Sequence, residues 1–338
     1  TARGFNSQFA NKLLVLIDGR SIYTPLFSGV YWDEQMPLLD DIQRIEIIRG
    51  PGASLWGSNA VNGVINIITY DSEQTTGSHV VAGGGNEERG FVRARQGFRQ
   101  GNLTGRVSAQ QRRVDEGIYA GSNEAANDDY VASAVDTRLD WRPSTGEKLT
   151  LNAGMTETDK HTDIALRGDI ADIISQREDL GARGSYLLIN CLHELNDGDA
   201  LFLQAYADYD HRYDSLESSE RLTSDFELQY NHREMHSHRL TWGLNHRNTR
   251  DKLQGSFVLY AEDPTRSYAL NTAFLQDEYH FSESLGTTLG MKVEESNTDR
   301  FEYQPTLRIS WQALENSTFW ASASRAARTP SRLENSLE

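Results

Sequence analysis

His232, His236 and His238 cluster around a turn-like stretch, and histidine is the commonest side chain to hold a metal. A metal centre needs three or four ligands that converge, each ring oriented by a second hydrogen bond. A wet turn supplies the same three residues without any metal. Carboxylates are abundant, 49 Asp and Glu in 338 residues, so pairs of the kind that flank a glycosidic bond arise by chance, and no fixed pair stands out. Gly50-Pro51-Gly52 is not a phosphate cradle: no Lys-Ser/Thr follows, and Pro51 removes an amide donor. Cys191 is the only cysteine, which excludes an internal disulfide or a thiolate cluster. These residues assign no catalytic group, metal or cofactor. The net charge of −16, from 33 Lys and Arg against 49 acidic residues, argues against nucleic acid as a partner.

The elements that carry these residues are strands. No run approaches the roughly 20 apolar residues of a membrane-spanning helix, and no charged-then-apolar leader opens the chain. A transmembrane barrel escapes that test, because its lipid-facing residues alternate with wet ones. Alternation is what the chain shows. Val131, Val135, Leu139 and Trp141 share one face of a strand whose other face holds Asp136, Arg138 and Asp140. The pattern returns at Leu149–Met155, Leu222–Tyr230, Leu285–Val293 and Tyr303–Trp311, and about thirteen such strands follow residue 77.

Short polar turns at Arg99–Asn102, Pro143–Glu147, Asn196–Asp199, Glu234–Ser237, Ser282–Ser284 and Glu315–Ser317 alternate with longer acidic stretches. Those stretches, Asp115–Tyr130, Asp159–Asp179, Asp210–Glu220 and Arg250–Ser267, read as irregular outer loops. Short at one end and long at the other is the asymmetry of an outer-membrane barrel. Trp141, Tyr230, Tyr279, Phe281, Trp311 and Phe319, near strand ends, suit an interfacial girdle. On this pattern Val135, Leu139, Leu307 and Ile309 face lipid, and Asp136, Arg138 and Arg308 face the lumen. A water-soluble β-sandwich alternates equally well, but has less reason to keep charges on every non-apolar face.

Residues 1–75 read differently. Leu13–Ile17 is an apolar strand ending in Asp18-Gly19; Ile42–Ile48 is a second, with Arg44 and Glu46 interleaved; Val64–Ile68 is a buried third after a glycine-rich linker. The chain therefore divides into a small mixed α/β domain, 1–75, and a meander, 76–338.

The stretch ANKLLVLIDGRSIYTPLFSGVYWDEQMPLLDDIQRIEIIRGPGASLWGSNAVNGVINIIT resembles the distal part of the plug domain of TonB-dependent outer-membrane receptors, through Leu16–Gly19, Ile45–Pro51 and Gly63–Thr69. FLQDEYHFSESLGTTLGMKVE and FWASASRAARTPSR are similar to that family's barrel strands. The resemblance implies an antiparallel barrel of about 22 strands whose lumen is filled by the plug, in the bacterial outer membrane. It implies capture of a scarce nutrient, a ferric siderophore, cobalamin or similar, with energy supplied through the TonB protein. Partners would be TonB, the lipid bilayer and a small-molecule or metal-chelate ligand. Only about thirteen strands are legible and the likeness starts partway into the plug, so the expectation is a plug truncated at its N-terminus, lacking the TonB-contacting segment, joined to an incomplete barrel that does not transport alone. A soluble β-rich binding or adhesion module is the second reading, and a secreted carbohydrate-active enzyme the third. Neither composition nor resemblance names the ligand.

Two groups of site residues are expected. Tyr23, Phe27, Tyr31 and Trp32 fall in the plug region that rises toward the outside in that family, and stacking or apolar contact there would form a ligand floor. Packing of plug against barrel is the competing use. Arg44, Glu46 and Arg49 leave one face of the second plug strand, and Glu278 in FLQDEYHF is the matching carboxylate for a plug–barrel latch. Bonding of Arg44 and Arg49 within the plug is the alternative.

Overall fold

Apolar runs bounded by turn residues form the first four strands of the computed structural model: β1 (Leu13–Ile17), β2 (Arg20–Ser21), β3 (Ile42–Arg49) and β4 (Gly63–Thr69). The structure describes residues 12–32, 34–50, 59–119, 121, 124–167, 173–195, 198–213, 217–232, 237–255, 263–297, 301–332 and 334. The four strands make one mixed sheet in the order β2-β1-β4-β3, with β1 parallel to β4 and β3 antiparallel to it. Apolar residues line both of its faces. Leu14, Leu16 and Val64 pack with Ala60 on one side, and Val15, Ile17 and Ile67 with Ile22 on the other, which explains why β1 and β4 are continuous apolar runs without alternation. Gly63 permits the β3–β4 approach, since a Cβ there would collide with the Ile48 carbonyl oxygen. Within the described part of this domain the non-strand elements are 3-10 turns, Leu39–Asp41 and, at its exit, Ser72–Thr75.

Thirteen antiparallel strands follow in strict sequence order. They are β5 (Gly77–Gly83), β6 (Glu88–Gln100), β7 (Leu103–Val114), β8 (Tyr130–Trp141), β9 (Glu147–Arg167), β10 (Ile173–Glu194) and β11 (Ala200–Tyr213). The sheet continues as β12 (Glu217–Asn231), β13 (His238–Gly255), β14 (Thr265–Ser282), β15 (Leu285–Ser296), β16 (Glu302–Leu314) and β17 (Ser317–Ser324). The connections β6–β7, β8–β9, β14–β15 and β16–β17 fall where polar turns were expected, and the turns expected at Asn196–Asp199 and Glu234–Ser237 lie partly outside the described residues. Three of the four expected outer loops differ: the described residues of Asp159–Asp179, Asp210–Glu220 and Arg250–Ser267 are mostly strand, because β9 to β14 run on past the alternating segment and pair closely, as in Asp163↔Arg177 and Asp251↔Arg266. A ladder needs only backbone partners, and a hairpin wet on both faces has no reason to alternate.

The two faces of the wall separate as the alternation requires. Val131, Val135 and Trp141 of β8 are exposed, whereas Ala132, Ala134, Arg138 and Asp140 are buried against the small domain. On β16 the separation holds at its start, where Tyr303 and Leu307 are exposed and Gln304 and Thr306 buried, but Arg308 and Ile309 are both exposed and both line one cavity, so the expected opposition of those two does not show. Trp141, Phe281, Trp311 and Phe319 are exposed at the short-turn end, where Tyr230 and Trp242 lie 5.7 Å apart and Trp311 and Phe319 6.0 Å apart, the disposition of a girdle at an interface. Asp140 and Ser72, at the foot of β8, begin the seam between wall and small domain.

Candidate functional site

That seam holds the densest chemistry in the molecule, and it is ionic. At its foot, Asp71 accepts hydrogen bonds from Arg138 Nη2 at 2.7 Å, Arg142 Nη2 at 2.9 Å and Lys148 Nζ at 2.7 Å. One residue on, Ser72 donates both its backbone N–H (2.8 Å) and its hydroxyl (2.7 Å) to Asp140, which also takes Arg138 Nε at 2.9 Å and the Thr150 hydroxyl at 2.7 Å. Asp140 is fully buried, so each oxygen must be satisfied by such donors. Higher up, Asp41, at the end of its 3-10 turn, lies against Arg95 at 2.5 Å, Arg106 at 3.1 Å and the Ser108 hydroxyl at 2.7 Å. Its neighbour Asp40 takes Arg93 at 3.0 Å. Arg20 pairs with Asp208 and stacks 4.0 Å from the centre of the Tyr186 ring, whose hydroxyl donates to Asp136 at 2.7 Å.

Above these pairs lies the aromatic turn. Thr24 and Gly29 bridge a hairpin apex, Phe27 and Tyr31 meet edge to face at 4.7 Å, and the Arg212 guanidinium sits 4.4 Å over the Tyr31 ring while pairing with Glu34. Trp32 is exposed. Tyr23 stands apart, packed on the core of the small domain, where burial pushes its hydroxyl up to about 12. The structure thus joins two of the four expected floor residues, Phe27 and Tyr31.

The expected latch residues are dispersed. Arg44 donates to Glu46 at 2.7 Å within β3, and Glu46 also accepts Asn66 at 3.1 Å, which holds its carboxyl below the usual range. Arg49 and Glu278 line one cavity of about 450 Å³ together with Arg308. Glu278 takes Gln276 at 3.2 Å and Arg239 at 3.8 Å, and no ion pair joins it to Arg49. Ile45 and Ile47, between those charges, are 53% and 65% exposed, and among the described residues nothing covers them. Pro51 to Ser58, the barest part of the glycine-rich linker, lie outside the described residues, as does His236. His232 and His238 each pair with a different carboxylate, Asp199 and Asp277, both at 2.8 Å.

The ion pairs that matter were missed because their small-domain halves are not on alternating strands: Asp40, Asp41 and Asp71 sit in turns, Arg20 in a two-residue strand and Glu34 in a loop. Their wall halves carried a signal, Arg93, Arg95, Arg106, Arg138 and Arg212 all standing on the charged face of an alternating strand. Facing partners of opposite sign could have been sought in the turns.

Residues 1–64 match the family model described as TonB-dependent Receptor Plug Domain, and residues 69–337 match the model described as TonB dependent receptor-like, beta-barrel. The vitamin B12 transporter BtuB of Vibrio vulnificus is 44% identical over 85 residues, 25% of this chain and 13% of that protein. The iron-regulated outer membrane virulence protein of Vibrio cholerae is 24% identical over 337 residues, 91% of this chain and 48% of the relative. Among solved structures, the FrpB iron transporter from Neisseria meningitidis superposes with a TM-score of 0.78 at 13% identity, covering 95% of this chain and 58% of that one. The siderophore receptor PirA from Acinetobacter baumannii does so with 0.75 at 15%, covering 95% and 54%. At such identities the superpositions establish the fold alone. The chain spans about half the length of the proteins it matches along most of its own length.

Proposed function

Because the chain belongs to the TonB-dependent receptors of the bacterial outer membrane, we propose that it serves active uptake of a scarce nutrient, a ferric siderophore, cobalamin or a similar compound, with residues 1–75 acting as the plug and 76–338 as barrel wall. The role is that of a receptor and transporter, with TonB as the source of energy and the bilayer as the surroundings. The observation that carries this reading is the seam: a domain seated against a wall through buried ion pairs is held in place yet separable, since a buried pair adds little net stability while its members remain matched. A soluble binding module has no use for an apolar outer face with aromatic residues at one end. Labelled ferric siderophore and cyanocobalamin offered to cells expressing the receptor test it. Accumulation of one probe that disappears when TonB is deleted supports the reading, and no TonB-dependent accumulation of any such chelate removes it.

Phe27, Tyr31 and Trp32 are assigned to the ligand floor, with Tyr23 beneath them on the core of the small domain. The Phe27–Tyr31 pair beneath Arg212 offers a rigid aromatic surface with a cation beside it, and exposed Trp32 extends it. Tyr31→Ala with Trp32→Ala is expected to weaken probe binding about tenfold in protein that remains folded. Unchanged affinity excludes these rings from the site.

Arg49 and Glu278, sharing a cavity, are assigned to a weak latch in which Arg44 and Glu46 hold the β3 edge in order. Arg49 is exposed and Glu278 partly so, and each single alanine variant should therefore loosen the plug by at most about 1 kcal/mol. A double variant no worse than the worse single one is expected. Strictly additive losses show that the two are not partners.

A further inference from the structure

Two chambers lie along the seam, and the same short turn closes both. The upper, about 70 Å³, lies between the plug and wall strands β7 to β12, with Asp136, Asn152, Tyr186 and Asp208 among its lining. The lower is about 970 Å³ and reaches the short-turn end of the wall, with Asp71, Lys148, Gln204 and Gln229 among its lining. Asp18, Thr69 and Arg138 line both. On the wall strands between them, upper-chamber residues neighbour lower-chamber ones along each strand: Asp136 beside the shared Arg138 on β8, Asn152 beside Thr150 on β9, Tyr186 before Asn190 on β10, Asp208 after Gln204 on β11.

The divider is the β1–β2 turn. Asp18 and Gly19 both adopt left-handed backbone, φ 50° and 89°, and Gly19 donates no side chain because a Cβ there would collide with Gln204 Oε1. Gln204 Nε2 donates to the Gly19 carbonyl at 3.2 Å, and Arg20 pairs with Asp208. Asp18 accepts the Thr69 N–H at 2.8 Å and hydroxyl at 2.7 Å, and Arg138 Nη1 reaches the Thr69 hydroxyl at 3.1 Å. Arg138 keeps a wall partner of its own, Asp140, so withdrawal of the turn leaves its charge matched. Two buried donors on residues that line the upper chamber, Arg20 Nε and Asn152 Nδ2, have no acceptor among the described residues, which marks that chamber as a place for polar occupants.

We propose that the Asp18–Arg20 turn is the gate of the transit path, resting on wall residues Gln204 and Arg138, and that its displacement by about one side-chain length joins the two chambers into a continuous polar passage along β8 to β11. The inference rests on the uptake reading above, but its test does not use uptake. The full-length receptor in a planar bilayer is measured for ion conductance as wild type, as Gln204→Ala with Arg138→Gln, and as Arg95→Gln, which loosens the seam away from the turn. Loss of hydrogen bonds to a charged group predicts openings about ten- to a hundredfold more frequent in the double variant alone. No increase, or an equal increase in Arg95→Gln, overturns the proposal. Gly19→Ala, which displaces the turn from the plug side, is the second variant and must conduct as well. TonB-independent accumulation of the probes would sink the nutrient reading and leave the conductance result standing.

Discussion

Asp41→Ala is expected to be the most damaging single substitution along the seam, lowering the stability of the plug–wall attachment by about 3–5 kcal/mol. Asp41 is 3% exposed, and Arg95, Arg106 and the Ser108 hydroxyl converge on it. Removing the carboxylate leaves Arg106 as a buried cation with, among the described residues, the Tyr70 carbonyl as its hydrogen-bond acceptor, and a buried charge without its counter-charge loses far more solvation than it recovers from a neutral dipole. The measurement is protection of the plug from protease, or urea-dependent release of the plug, in detergent-solubilised protein. Combining Asp41→Ala with Arg106→Met should restore a good part of the loss, since the orphaned charge is then gone. A double variant as weak as the sum of its parts shows that Arg106 is not held by Asp41.

Asp140→Ala follows closely, at about 3 kcal/mol. The carboxylate terminates the chain segment that leads from plug to wall: Ser72 gives it two hydrogen bonds, Thr150 one and Arg138 another. Arg138 retains Asp71 at 2.7 Å, so the change orphans the Ser72 N–H and two hydroxyls rather than a whole charge, which places the loss at the lower end of the range. Asp140→Asn keeps an acceptor for Ser72 and should cost about half as much. Hydrogen exchange at the Ser72 and Gln74 amides reads the effect locally. Unchanged protection there in Asp140→Ala shows that the segment is anchored elsewhere.

The sequence by itself determined the architecture. A strand period of two shows wherever a wall is apolar outside and charged inside, so the repeated alternating segments disclosed about thirteen strands, and Val131–Trp141 disclosed its two faces, whereas the later half of Tyr303–Trp311 is exposed on both. The continuous apolar runs of β1 and β4 disclosed a sheet covered on both faces, and the family elements around Asp18-Gly19 and Gly63–Thr69 identified which one. Strand length beyond the membrane was hidden, because hairpins wet on both faces form ladders without any pattern in their side chains. The pairing of plug with wall was hidden for a different reason. Asp41 and Arg106 are 65 residues apart by their numbering and Arg20 and Asp208 are 188 apart, and nothing in a one-dimensional string tells which turn will meet which strand. Composition offers 49 carboxylates to 33 basic residues, so charge alone leaves hundreds of pairings open. Only the seating of the small domain against the wall chooses among them, because burial makes an unmatched charge intolerable at the seam and leaves an exposed one, such as Arg49, indifferent to its partner.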